Sequence, residues 1–441
     1  MLRLAVPIVL AEIGWMLMGI VDTIMVGRLP HSAEAIGAVG LGSNLFATVG
    51  IFGGGLLLGL DTLVSQAFGA RDVTDCHKSL LNSVYLASIA APTLMLVIWG
   101  GIPWLGAIGI NPVILRSAIP YLKILNWSIF PLLLYFAFRR YLQGMSIVKP
   151  ITFTLISANL VNLAGNWALV YGHLGAPAMG TQGSAWATFA SRIYMAAVLL
   201  GCVFYYDRQR TSGLTQIELM PDFARMRHLF ALGLPVAMQI GLEIAVFAAA
   251  TALIAKLDAA SLAGHQIALN LASFTYMVPL GISSAAAVRV GQALGRGDRP
   301  GASRAGWAAL WLGSGFMLLA AIVFVLAPAT IVRLFTPAPE VIHAAVPLLF
   351  VAAAFQLFDG LQTVATGALR GAGDTRTPMI CSFIAYWVIG LPLGYVLCFR
   401  RGWGALGIWI GLCIGLMIIG TALLVVWFRK MQVRTTTYVE R

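Results

Sequence analysis

Five acidic side chains lie where water is not expected to reach them. Glu12, Asp22, Asp61, Glu243 and Asp359 fall inside long apolar runs, whereas the other eleven of the sixteen acids fall in polar stretches. An ionised carboxylate in hydrocarbon costs about 3 kcal/mol on insertion scales and about 10 or more in simulations, so acids in such positions usually mark ion or proton paths.

Asp22 stands in Gly19-Ile20-Val21-Asp22-Thr23. Asn162 and Asn166 are four residues apart, which puts both amides on one face of a helix and lets them turn toward a shared partner. Such a carboxylate, balanced between burial and amide donors, could exchange a proton or small cation; the alternative is a satisfied polar cluster that holds helices together. Glu243, in Gly241-Leu242-Glu243-Ile244-Ala245, and Asp359, in Leu357-Phe358-Asp359-Gly360-Leu361, have no basic residue in their own expected spans. If these two meet, they repel each other and hold one proton between them or recruit a cation such as Na+; separate structural roles are the alternative. Glu12, about three turns before Asp22, is open between a place on the path and a structural role. Asp61, near a helix end, reads as structural.

Enzyme chemistry is not expected. His265 beside Gln266 is the nearest polar pair to a catalytic one, and a satisfied structural histidine explains it. There is no phosphate-cradling GxxxxGK[ST] motif, which argues against ATP hydrolysis in this chain. Cys76, Cys202, Cys381, Cys398 and Cys413 are scattered without a CxxC pair, so they read as free thiols, not as a disulfide framework or metal site.

The elements that position these residues follow from composition. Sixty per cent of 441 residues are apolar and 10% are charged, a balance that makes lipid the solvent for most of the chain. The apolar runs do not alternate as barrel strands would, and about 20 residues suffice for a spanning helix. The fold class is therefore all-α integral membrane, with twelve transmembrane helices near 4–26, 36–60, 80–101, 118–138, 152–172, 181–206, 229–255, 262–287, 305–328, 344–368, 379–399 and 405–428. With the amino terminus cytoplasmic, the inside holds 20 of the 28 Lys and Arg, the outside seven, and Arg192 lies within a span. This is the positive-inside asymmetry, so the net charge of +12 reports insertion and anionic lipid and no nucleic acid is expected as a partner. No cleavable signal is evident ahead of the first span, and both termini are expected in the cytoplasm.

The chain also repeats itself. Pro7-Ile8-Val9 is echoed by Pro235-Val236-Ala237, and Ser65-Gln66-Ala67-Phe68-Gly69-Ala70-Arg71-Asp72 by Gly291-Gln292-Ala293-Leu294-Gly295-Arg296-Gly297-Asp298, partners lying 226 to 228 positions apart. Tyr141-Leu142-Gln143-Gly144 before Lys149-Pro150 is matched by Ala368-Leu369-Arg370-Gly371 before Thr377-Pro378. The expected domains are a six-helix lobe over 1–206, a cytoplasmic linker over 207–228, and a second six-helix lobe over 229–441 with a short basic tail. Parallel pseudo-symmetric copies of this kind are a transporter plan with substrate between the lobes. Gly53-Gly54-Gly55 reads as close helix packing, with a hinge as the alternative.

At these residues the chain resembles the multidrug and toxic compound extrusion (MATE) family, in its bacterial NorM-type branch. The resemblance rests on Gly19-Ile20-Val21-Asp22-Thr23-Ile24-Met25-Val26-Gly27, Val64-Ser65-Gln66-Ala67-Phe68-Gly69-Ala70, Gln182-Gly183-Ser184-Ala185-Trp186-Ala187-Thr188 and Gly367-Ala368-Leu369-Arg370-Gly371. It implies a secondary antiporter in a bacterial inner membrane. Organic cations or other amphipathic compounds would leave in exchange for H+ or Na+, by rocking of two lobes around an acidic cleft. It also implies ion-coupling or substrate-binding roles for Asp22, Asn162, Asn166, Glu243 and Asp359, Na+ if present lying at Glu243 and Asp359, and function as a monomer without a resident cofactor.

One position departs from the pattern. NorM-type members can carry tyrosine one turn before the span-ten aspartate, where this chain has Phe355. Loss of that hydroxyl tips the expectation toward H+. Phe355 stays a candidate for the path, and Phe358, Trp127, Tyr135 and Trp387 are further candidates for an aromatic wall that attracts flat cations. A lipid-linked oligosaccharide flippase of related fold is the rival. It should carry basic residues in its cavity, and Arg192 is the one evident intramembrane base.

Overall fold

The computed structural model describes residues 1–107, 109–210 and 213–432. Among these there is no strand. In a solvent without hydrogen-bond donors, a helix satisfies its own backbone, and the apolar runs fold accordingly. Eleven helices are long and apolar enough to cross a membrane: α1 (Leu2–Val26), α2 (Ser32–Gly69), α3 (Val73–Ala107), α5 (Lys149–Tyr171), α6 (Thr181–Gln209), α7 (Phe223–Ile254), α8 (Ala259–Gly295), α9 (Arg299–Leu326), α10 (Pro339–Gly371), α11 (Arg376–Arg400) and α12 (Gly404–Gln432). The twelfth, α4, is a pair, Pro112–Asn126 and Ile129–Gly144, bent by 47°. Pro131 follows the bend and has no N–H to reach the Trp127 carbonyl, which is where the ladder breaks.

The helices run beyond the apolar stretches that announce them. The third begins at Val73 and the fourth ends at Gly144, because caps and ion pairs let polar residues extend a helix past its apolar core. Two basic residues thereby enter helix α4. Arg139 and Arg140, 2% and 8% exposed, lie in its last turns, so Arg192 is not the one buried base. Arg370 likewise falls inside α10, the helix that carries Asp359.

The repeat signatures are helix-to-helix turns. In the first copy Arg71 takes φ 62° and Asp72 N–H donates to the Ala67 carbonyl at 3.0 Å; in the second Gly297 takes φ 75° and Asp298 N–H donates to the Ala293 carbonyl at 2.9 Å. The same left-handed stop recurs at Ser146 (φ 61°) and Gly373 (φ 78°), with Ile147 and Asp374 N–H reaching back to the Leu142 and Leu369 carbonyls. Asp72 and Asp298 then cap the next helix, accepting from the N–H of Asp75 and Gly301 at 2.9 and 2.8 Å. The duplicated sequence thus encodes a duplicated stop and restart.

The described chain divides into two compact units, Leu10–Ala237 and Met1–Val9 with Met238–Arg441. In the first, a Cβ on Gly53 would meet Leu94 Cδ1 at 2.6 Å and one on Gly54 would meet Phe136 Cε2 at 2.9 Å, so these glycines admit neighbouring side chains. In the second, the small residues of α8 let α10 approach backbone to backbone. A Cβ on Gly367 would fall 2.2 Å from the Ser283 carbonyl oxygen. The connection between α6 and α7 lies along α3. Tyr85 Oη donates to the Leu219 carbonyl at 2.6 Å, Asp222 N–H to Asn82 Oδ1 at 2.9 Å, and Arg225 pairs with Asp75 at 2.7 Å. The backbone N–H of Arg225 and its guanidinium hold the Asp222 carboxyl below the usual carboxylate range.

Candidate functional site

The five acids of the spans divide by the partner each has found. Glu12, 8% exposed on α1, is ion-paired with the guanidinium of Arg139. Asp61, fully buried on α2, lies 3.4 Å from Arg140 Nη1. A buried guanidinium and a carboxylate fix each other's charge, and removing either strands the other. Asp22, Glu243 and Asp359 are in no ion pair among the described residues.

Asp22 is held by neutral donors. Asn166 Nδ2 donates to Oδ1 at 2.7 Å, Asn162 Nδ2 to the same oxygen at 3.1 Å, and Thr188 Oγ1 to Oδ2 at 2.8 Å. The two asparagines come from adjacent turns of α5, as their spacing requires, and Thr188 from α6. All four residues are at most 5% exposed, and Asn166 Oδ1 is a buried acceptor with no partner among the described residues. Arg192 acts on Asp22 only through its field. Its guanidinium bonds Ser128 Oγ and lies 4.2 Å from the centroid of the Phe46 ring. Thr188 was visible in the sequence only as the last residue of a motif; nothing in its spacing pointed to Asp22.

In the second unit, Glu243 Oε1 accepts from Gln362 Nε2 at 2.8 Å, from Gln239 Nε2 at 3.1 Å and from Ser382 Oγ at 3.4 Å. Gln239 is one turn before Glu243 on α7, while Gln362 and Ser382 come from α10 and α11. Asp359, 8% exposed and one turn before Gln362 on α10, lies close enough to Glu243 for their charges to interact. Tyr276 and Tyr386 feel both acids. These glutamines and tyrosines escaped the sequence reading because each is an ordinary helical residue until the fold brings four helices together.

Phe355 is 3% exposed and packs edge-on against Phe247 (6.1 Å between centroids) and Trp409 (5.8 Å). The other aromatics do not form one wall: Trp127 is 53% exposed, Tyr135 is buried and stacked on Trp15, and Trp387 Nε1 donates to the Leu242 carbonyl. His265 is locked by direction. Trp409 Nε1–H can only donate, so His265 Nδ1 accepts at 3.1 Å; its Nε2–H then donates to Thr251 Oγ1 at 2.8 Å, and that hydroxyl donates to the Phe247 carbonyl. All five cysteines are free thiols, and no group of three metal-ligating side chains occurs among the described residues.

Comparison with known proteins agrees with this architecture. The MatE family model matches residues 7–168 and again 235–396, two segments offset as the internal repeat is. The Probable multidrug resistance protein NorM of Mesorhizobium japonicum is 39% identical over 436 residues, covering 97% of this chain and 93% of its own. The protein of that name in Brucella suis is 33% identical over 439 residues, covering 98% and 92%. Among solved structures, MATE in the bent conformation superposes with TM-score 0.88 at 18% identity, covering 98% of this chain and 94% of that one. The eukaryotic MATE transporter AtDTX14 superposes with TM-score 0.85 at 22% identity, covering 98% and 96%. Matched along nearly its whole length and in both copies of its repeat, the chain belongs to the MATE family, in its NorM-type branch.

Proposed function

We propose that this protein is a multidrug exporter of a bacterial inner membrane, a secondary antiporter that releases organic cations or other amphipathic drugs in exchange for H+. The relatives' names supply the substrate class. The observation that carries the coupling is the sorting of the acids: Glu12 and Asp61 have guanidinium partners, whereas Asp22 and Glu243 rest on amides and hydroxyls.

An amide suits a site whose charge changes. It donates N–H to a carboxylate and, after a half-turn of its terminal group, accepts from the O–H of a carboxylic acid. Asn166 Oδ1 and Gln239 Oε1, both buried and without a partner among the described residues, are the oxygens that such a turn would present. Na+ is the second candidate for the coupling ion, at Glu243 and Asp359. It would need a full set of oxygen ligands, and Phe355, one turn before Asp359, offers none, which favours the proton.

In the cycle, protonation of the acids weakens their hold on a cationic drug, and the two units rock to expose the cleft to the other side. Both termini lie in the cytoplasm, and one chain suffices. A flippase for lipid-linked oligosaccharide is disfavoured, since Arg139 and Arg140 face Glu12 and Asp61, and Arg192 is turned to Ser128 Oγ and the Phe46 ring. The test is dye efflux from proteoliposomes with pH and sodium gradients imposed separately. Efflux should follow the proton gradient alone and be lost in Asp22→Asn, Glu243→Gln and Asp359→Asn variants that still insert. Full gradient-driven efflux in all three would remove the acids from the mechanism.

A further inference from the structure

We infer that a groove between the end of α1 and the end of α5 is a binding site for an anionic phospholipid. The groove has a volume of about 610 Å³, within the range of about 300–1,000 Å³ common for small-molecule sites. Its long wall is apolar and exposed, Leu160 by 64% and Leu163 by 43%. Its end is basic and aromatic, formed by Arg28, Trp167, Tyr171 and His173. The site therefore has the two-part chemistry of its ligand, hydrocarbon along the helix and an anion at the helix end.

Three features set the anionic end apart from ordinary lipid-facing surface. Arg28 is exposed and in no ion pair among the described residues, so its charge is available to a phosphate. His173 lies against Trp167, ring centroids 4.3 Å apart, so that two aromatic rings share the groove's end with Arg28, a setting in which tryptophan and tyrosine commonly meet headgroups. Tyr171 Oη donates to the Met25 carbonyl at 2.6 Å and so ties α5 to α1 at the groove's end. Arg28 opposes a lipophilic cation here, and free phosphate would leave the apolar wall uncovered. Met25, which lines the groove, follows Asp22 by three residues on α1, so a bound lipid rests against the helix that carries that acid.

The test uses the full chain in bilayers containing dibrominated phosphatidylglycerol or dibrominated phosphatidylcholine, reading the quenching of Trp167 as the difference between the parent and Trp167→Phe. One basic side chain at a membrane surface favours an anionic lipid by about fivefold. Phosphatidylglycerol should therefore quench with about fivefold higher affinity than phosphatidylcholine, and the ratio should fall to about one in Arg28→Gln. Bulk glycerol phosphate should not reverse it. Native mass spectrometry gives a second reading: Arg28→Gln should retain one phosphatidylglycerol fewer than the parent. Equal quenching by the two lipids, a preference that survives Arg28→Gln, or displacement by glycerol phosphate overturns the assignment.

Discussion

A carboxylate inside a membrane protein is defined by what it is bonded to. Thr188 shows this for Asp22: its hydroxyl donates to Oδ2 at 2.8 Å, while both asparagines donate to Oδ1. A hydrogen bond to a charged group contributes about 1.5–3 kcal/mol. Thr188→Val keeps the shape and removes the donor, so gradient-driven dye efflux should fall by tenfold or more, with Thr188→Ser restoring it and the melting temperature nearly unchanged. Glu12 and Arg139 predict the opposite pattern. Arg139→Met strands a buried carboxylate and should destabilise the detergent-solubilised protein by about 3–5 kcal/mol, while the Glu12→Gln/Arg139→Met double variant should recover most of that loss. Equal melting of the single and double variants would deny the pair its structural role. The acids themselves stood out in the sequence, because a charge in an apolar run is conspicuous. Of their partners only Asn162 and Asn166 did, by their spacing: a threonine, two glutamines and two arginines at helix ends look ordinary until tertiary packing selects them.

Helices were legible for the same reason that the acids were, since lipid imposes long apolar runs, and the repeat exposed the turns that separate them. Their ends were not, because the last turns of α4 and α10 take in arginines and close on left-handed stops, and those of α4 are held by ion pairs, not by hydrophobicity. Close helix packing was readable only as glycine content. Two glycines of α9 separate the cases. A Cβ on Gly306 would fall 2.0 Å from Trp427 Cζ2 of α12, whereas one on Gly315 meets nothing within 4 Å. Gly306→Ala should therefore force the tryptophan aside and cost about 1–3 kcal/mol. Gly315→Ala should be neutral or stabilise by up to about 1 kcal/mol through helix propensity. Thermal melting of both variants in one detergent decides the matter, and a Gly306→Ala protein as stable as Gly315→Ala would mean that α9 and α12 do not pack as described.

At the scale of the whole molecule, the duplication copied the scaffold but not the chemistry. The position equivalent to Asp22 is Ala250 in the Pro7/Pro235 alignment, and at the same offset Glu243 and Asp359 stand opposite Trp15 and Pro131. Each unit thus carries its own acids on different helices: Asp22 on α1, with Asn162, Asn166 and Thr188, and Glu243 with Asp359 on α7 and α10. Two unlike sites can serve one cycle or two independent ones, and kinetics distinguishes these. Residues that act as a unit are non-additive: once one is removed, removing another costs little more. If both sites belong to a single proton-coupled cycle, Asp22→Asn and Asp359→Asn should each reduce gradient-driven efflux to the same residual rate. The double variant should then be no slower than either single one. Initial rates of dye efflux from proteoliposomes under an imposed pH gradient measure this directly. A double variant slower by the product of the two single losses would show that the units work separately, and the coupling proposed here would have to be divided between two cycles.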